Sequence, residues 1–225
     1  MTNTRTVHVT CPSCHAQGEF TVYKSINTKE SPALKEKVRD GSLFQFSCPA
    51  CGAKTTVDYP FLYHQPEDHY MINYGKLEDG AKALEMLRGK GVALKDWAAE
   101  MEKTTRPYVL RAVDDRLAFR EKLFIFDARL DDRLVEIYKF MVCYQYTAAG
   151  KAQGGEHAYF YTDSKGHHRV QIVRGKETLG LADFPRKIYN QIHAEYAKKL
   201  GDIRKAEPVV DQAWARKFLM AQGQV

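Results

Sequence analysis

Two short stretches decide the reading of this chain: Cys11-Pro12-Ser13-Cys14 and Cys48-Pro49-Ala50-Cys51. Each is a Cys-x-x-Cys pair on a turn, with proline fixing part of the backbone. A fifth cysteine, Cys143, stands apart. An odd total with two close pairs fits a secreted disulfide framework poorly. It fits a tetrahedral thiolate site, in which two turns each give two sulfur ligands to one ion. Gly52 directly follows the second pair and His15 takes the matching place after the first. The expected ligands are therefore Cys11, Cys14, Cys48 and Cys51, around one structural Zn²⁺ per chain. A site closed by four cysteines leaves no position open for substrate.

Working outward, 33 residues separate Cys14 from Cys48, more than the roughly 15–20 of a compact zinc ribbon. The spacing predicts an insertion of strand, short helix and strand. Phe20, Val22 and Ile26 lie on one face of a strand over 18–26. Ser31-Pro32 reads as a helix start, Leu34 and Val38 share a helical face, and Gly41 stands where the helix should end. Leu43–Phe46 leads into the second pair as a strand. Redox chemistry is the rival reading of a Cys-Pro-x-Cys pair. It requires a helix N-terminus at the first cysteine, whereas strand-like sequence follows both pairs here.

These residues resemble a known family. The doubled knuckle, the segment Val38-Arg39-Asp40-Gly41-Ser42-Leu43-Phe44, Cys51-Gly52, Tyr59-Pro60-Phe61-Leu62-Tyr63-His64 and the later Leu130–Lys139 are similar to the bacterial CpXC proteins. The resemblance covers roughly the first 140 residues. It implies a zinc-binding fold with Cys11, Cys14, Cys48 and Cys51 as ligands, and it implies no activity.

The rest of the pattern gives an α+β protein: a split zinc ribbon with an inserted helix over residues 1–75, then a helix-rich region over 76–225. Alternation from Val57 to Tyr63 predicts a half-buried strand, at a sheet edge because Pro60 lacks an N–H. A strand is expected at 70–74. Helices are expected over 77–88, 94–103, 115–128, 131–145, 183–200 and 209–221, the third and fourth of these opening on the acidic residues Asp115 and Asp131. Residues 108–113 read as a strand, and 159–173 as a β-hairpin. The loop at Gly150-Lys151 lacks the residues of a phosphate loop.

The 225 residues include 34 Lys and Arg against 28 Asp and Glu, a net charge of +6. Residues 1–75 carry seven of each sign, so the surplus lies wholly in the second region. Its basic pairs, Arg186-Lys187, Lys198-Lys199, Arg204-Lys205 and Arg216-Lys217, are interspersed with acids and read first as solvated helix faces. Nucleic-acid binding is the alternative. No run of about 18 apolar residues predicts a membrane span, and no secretory leader is evident, so a cytoplasmic location is expected. Three further groups could carry chemistry: His157, His167 and His168 around the hairpin as a second metal site; His64 and His69 bracketing Glu67-Asp68; and Asp131, Asp132 and Glu136 as an acid–base set. None makes a nucleophile–base–orienter arrangement, so catalysis is not expected. The favoured function is a protein-interaction module, its partner another protein or its own copy, presenting Tyr59, Phe61, Tyr63, Tyr70 and Tyr74.

Overall fold

The computed structural model describes residues 1–223. It contains seven α-helices and three β-sheets among them, divided between two compact units, Met1–Asp114 and Asp115–Val225. None of the described helices is long and apolar enough to cross a membrane.

The first unit opens with β1 (Asn3–Thr10) and β2 (Gln17–Asn27), an antiparallel ribbon that turns through the first cysteine pair. Then come α1 (Ala33–Asp40), the short strands β3 (Gln45–Ser47) and β4 (Lys54–Thr56), and β5 (Phe61–Gln65). Next are β6 (Tyr70–Tyr74), α2 (Leu77–Leu87), α3 (Lys95–Thr105) and β7 (Val109–Val113). Helix α1 ends at Gly41, whose φ of 81° only a residue without Cβ adopts cheaply. The five-stranded sheet runs β1-β2-β5-β6-β7. Strands β3 and β4 form their own ribbon, folded around the second cysteine pair.

The expected division near residue 75 falls between β6 and α2. The first unit continues beyond it because α2 and α3 carry the chain over to β7, which pairs parallel with β6. A parallel neighbour needs such a crossover.

Two expectations in this unit are corrected. Pro60 lies in neither strand, and β5 is central, flanked by β2 and β6. The aromatic residues expected to be on display are consequently internal. Phe61, Tyr63, Tyr70 and Tyr74 are all buried and Tyr59 is half-buried. Rings run in contact from Phe46 through Phe20, Tyr59, Phe44 and Phe61 to Tyr74, at centroid separations of 5.6–6.2 Å. Two phenolic groups that enter the core are satisfied there: the fully buried Gln65 accepts from Tyr63 Oη at 2.8 Å and Tyr70 Oη at 2.7 Å. This aromatic file ties the cysteine-bearing layer to the sheet.

The second unit comprises α4 (Arg116–Asp127), α5 (Asp132–Ala148), β8 (Glu156–Thr162), β9 (His168–Arg174), β10 (Glu177–Asp183), α6 (Arg186–Leu200) and α7 (Gln212–Ala221). Asp115 and Asp131 cap as expected: Asp115 accepts from the amides of Leu117 and Ala118, and Asp131 from that of Arg133. The expected hairpin is the first two strands of an antiparallel sheet ordered β10-β9-β8. Strand β10 occupies a stretch for which the sequence pattern predicts no strand, and α6 begins only after Pro185.

Candidate metal centre

Each cysteine pair sits on a knuckle built by the same backbone bonds. In the first, Cys11 N–H donates to Ala16 O at 2.9 Å and His15 N–H to Cys11 O at 3.0 Å. In the second, Cys48 N–H donates to Ala53 O and Gly52 N–H to Cys48 O, both at 2.9 Å. His15 and Gly52 both hold left-handed backbone, at φ 60° and 71°. A glycine adopts that conformation freely and a histidine only against resistance. The two knuckles are thus local copies facing one another.

They bring all four sulfurs together. The Sγ atoms of Cys11, Cys14, Cys48 and Cys51 lie within 4.8 Å of one another. Across the knuckles, Cys11 Sγ lies 3.7 Å from Cys51 Sγ and Cys14 Sγ lies 3.6 Å from Cys48 Sγ. None is joined in a disulfide. Cys11 and Cys48 are buried, while Cys14 and Cys51 face solvent. The inner pair packs with Phe46, and Val9, Ala16, Phe20, Ala53 and Val57 close around them. No other cluster of three or more His, Cys, Asp or Glu side chains among the described residues has metal-binding spacing.

Such a cluster cannot hold four negative charges in the absence of a cation. The Cys11 thiol is lowered to about 6, chiefly by the backbone N–H of Cys14 and then that of Ser13. Cys14 is raised to about 12: the Ala16 amide lowers it, but the thiols of Cys51 and Cys48 outweigh that. The cluster thus favours the thiolate at Cys11 and the thiol at Cys14. A divalent cation lets the remaining protons leave.

Gly18 sets the depth of the second knuckle against β2. A Cβ there would meet Phe46 Cζ at 2.8 Å and Pro49 Cδ at 2.9 Å. Gly18→Val is expected to push Phe46 and Pro49 away and weaken metal affinity on the order of tenfold or more, an overpacking cost of about 1–3 kcal/mol. A competition titration against a chromogenic chelator checks this, and unchanged affinity would contradict it.

The other sequence candidates are not brought into one site. His167 lies 3.3 Å from Asp163 and His168 accompanies Thr162, while His157 stacks near Tyr159. His64 and His69 flank the ring of Tyr108 at 5.2 and 5.4 Å. Cys143 lies half-buried on α5, where burial raises its thiol. Among the basic residues, Arg204 pairs with Asp202 at 2.8 Å, and Arg186 and Lys199 lie over tyrosine rings.

The sequence offers Asp131, Asp132 and Glu136 as an acid–base set at a helix start. Arg133 holds Asp131, at 2.7 Å. Asp132 and Glu136, however, are fully buried and belong to a network of five charged side chains in the core of the second unit. Lys122 Nζ donates to Asp132 at 2.9 Å, to Glu136 at 3.3 Å and to Val210 O at 2.7 Å. Lys139 Nζ donates to Glu121 at 2.8 Å and to Glu136 at 2.9 Å. Nothing in the pattern of one helix reveals this, because the lysine that grips Asp132 comes from α4.

Three carboxyls face two ammonium groups in this network. Glu121 is raised from 4.5 to about 7, by burial first and by Glu136 against the pull of Lys139 and Lys122. A carboxyl raised in the folded state contributes stability that is present below its unfolded value and lost as pH rises through its folded one. The second unit should accordingly lose stability between pH 4.5 and about 7, by on the order of 3 kcal/mol. Amide exchange of α4 and α5 at both ends of that window reads it. Glu121→Gln should flatten the dependence, and an unaltered slope in that variant would refute the assignment.

The model of one protein family, the CpXC protein, matches residues 9–139. That span begins just before the first knuckle and ends within α5. No curated protein and no solved structure matches the chain.

Proposed function

The chain belongs to the CpXC family, and from that premise we propose that it is a structural zinc protein whose metal-stapled first unit serves as an interaction module. The observation that carries this is the sulfur geometry. A tetrahedron of Zn–S bonds of about 2.3 Å has edges of about 3.8 Å, and two of the edges between the knuckles here are 3.7 and 3.6 Å. Four sulfur donors with tetrahedral spacing fit zinc better than the hard, oxygen-seeking cations.

A structural role follows from closure. All four ligands come from the protein, so no position is left for substrate. Metal binding then contributes directly to folding, since the knuckles hold together a two-stranded ribbon too small to persist alone. Neither cysteine pair opens a helix: β2 follows the first and β4 the second. That disfavours a thiol redox role, which depends on a helix dipole at the reactive sulfur. Four free thiols within reach of one another call for a reducing compartment, and the reading therefore places the protein in the cytoplasm.

Native mass spectrometry with and without a strong chelator tests the proposal. One zinc per chain is expected, retained at neutral pH and released on acidification as protons reclaim the thiolates. A metal-free protein with reactive, exchangeable thiols would overturn it. The alternative of nucleic-acid binding by α6 and α7 predicts a complex that weakens steeply with salt. Absence of any gel shift at low salt removes that alternative.

A further inference from the structure

The outer edge of the first unit's sheet is β1, which pairs with β2 on one side only. Its hydrogen-bonding parity can be read from the register. The β1–β2 pairing runs from Thr4↔Tyr23 to Thr10↔Gln17 without interruption, and continues to Cys11, whose N–H donates to Ala16 O. Hydrogen-bonded pairs alternate along an antiparallel ladder. Arg5, Val7, Val9 and Cys11 therefore turn their main-chain groups toward β2, and Thr4, Thr6, His8 and Thr10 turn theirs outward. No described residue pairs with those outward groups.

Natural sheets blunt such an edge with proline, lysine, a bulge within the run, or shortness. Strand β1 has eight residues, and from Thr4 to Thr10 it is unbulged and made of Thr, Val, one Arg and one His. Its sequence also reads the same in both directions: Thr6-Val7-His8-Val9-Thr10. A palindromic strand is complementary to itself in the antiparallel sense, where residues equidistant from the centre face one another. Pairing about His8 sets Val7 against Val9 and Thr6 against Thr10 of a second copy, matches of the kind that stabilise sheets.

We propose that the partner of this module is a second copy of the chain, joined edge to edge through β1 in an antiparallel pair with the two-fold axis at His8. This deepens the interaction reading above and rests on it for a metal-held, rigid edge. The parity agrees. The residues that would exchange hydrogen bonds across the axis, His8 with His8 and Thr6 with Thr10 twice, are those with outward main-chain groups, giving about six bonds. Pro12, which has no N–H, comes where the pairing runs out.

Both faces of the joined sheet are complementary too. On the polar face His8 stands beside Glu19, so the order across the axis is Glu19, His8, His8, Glu19. On the other face Val7 and Val9, half-buried in one copy, gain cover from Val9 and Val7 of the second. Arg5, exposed in one copy, falls directly opposite Cys11 of the second copy. Four thiolates around a divalent cation carry a net charge of −2, and Arg5 is a cation placed beside that charge. The contact is isologous, and closes at two copies.

The test uses the metal-loaded full chain in sedimentation velocity over a range of concentrations. Wild type is expected to form a concentration-dependent dimer. His8→Pro deletes an outward N–H that β1 does not share with β2, a position where a strand tolerates proline. It should give a monomer with unchanged metal content. His8→Cys should cross-link in oxidised glutathione, because facing Cα atoms of a hydrogen-bonded pair stand about 5.5 Å apart. Thr6→Cys should not, since it faces position 10. Arg5→Glu should weaken the dimer on the order of tenfold. A metal-loaded wild type that stays monomeric, a His8→Pro protein that dimerises as well as wild type, or cross-linking of Thr6→Cys equal to that of His8→Cys would each overturn the proposal. A wild type without metal would sink the structural-zinc reading, and the cross-linking pair would then decide this one.

Discussion

Replacing Cys48 with serine is expected to abolish stoichiometric metal binding and to unfold the knuckle layer of the first unit. Cys48 is 3% exposed and packs with Cys11 and Phe46 in a cluster that has few other buried members. The ribbon it joins has only three pairs, Gln45↔Thr56, Phe46↔Thr55 and Ser47↔Lys54. A two-stranded ribbon of that size is not stable alone in water. On the proposed reading a metal fixes it, and a structural zinc contributes about 10–16 kcal/mol, a quantity as large as the whole stability of an ordinary domain. Serine offers a neutral hydroxyl in place of a thiolate and loses most of that term. Metal analysis together with limited proteolysis reads the result: cleavage appears within residues 1–60, while α4 to α7 of the second unit stay protected. A variant that still carries one metal and shows the wild-type N-terminal protease pattern would contradict it.

The second large effect belongs to the other unit. Lys122→Met should destabilise it by about 3–5 kcal/mol, the usual consequence of removing one partner from a buried charge network. The ammonium is 2% exposed and serves three acceptors, Asp132, Glu136 and the Val210 carbonyl. Without it, three buried carboxyls are left with one cation, and one oxygen of Glu136, Oε2, already has no hydrogen-bond partner among the described residues. Methionine fills the volume, so the loss is electrostatic more than steric. Amide exchange should show α4, α5 and α7 opening in the variant while its metal content stays at the wild-type value. The double replacement Lys122→Met with Asp132→Leu should recover part of the loss, because apolar substitutes for a whole buried pair are often tolerated. A single variant as stable as wild type would show that the network is dispensable.

How legible these features were depends on how local their causes are. The four cysteines are read from spacing, because a knuckle needs only a few consecutive residues to set its shape. The caps at Asp115 and Asp131 and the stop at Gly41 are likewise local. Strand β1 leaves little trace in the sequence because every one of its eight positions is polar or only half-buried, and an edge strand with one neighbour leaves little hydrophobic alternation. Strand β10 failed for the same reason, with Leu181 59% exposed on it. The run from Val57 to Tyr63 did alternate, but alternation cannot say whether a strand is central or at the rim. Placement of β5 between β2 and β6 buried the tyrosines, and that placement is a long-range fact. The charged core of the second unit is the sharpest case. Asp132, Glu136 and Lys139 have the spacing of a solvated helix face, and only the approach of α4 and β8 turns it inward.

The position of the knuckles along the chain has a consequence for biosynthesis. The last sulfur ligand is residue 51, whereas the five-stranded sheet is not complete until β7 at Val109–Val113. A ribosome therefore delivers a full set of thiols long before it delivers the strand that finishes the sheet. Cation capture can come first during translation, closing the excursion from Cys14 to Cys48 and leaving β2 ready to receive β5 alongside it. The availability of the ion at that moment, more than any later encounter with the finished polypeptide, would govern how much of each synthesised batch matures.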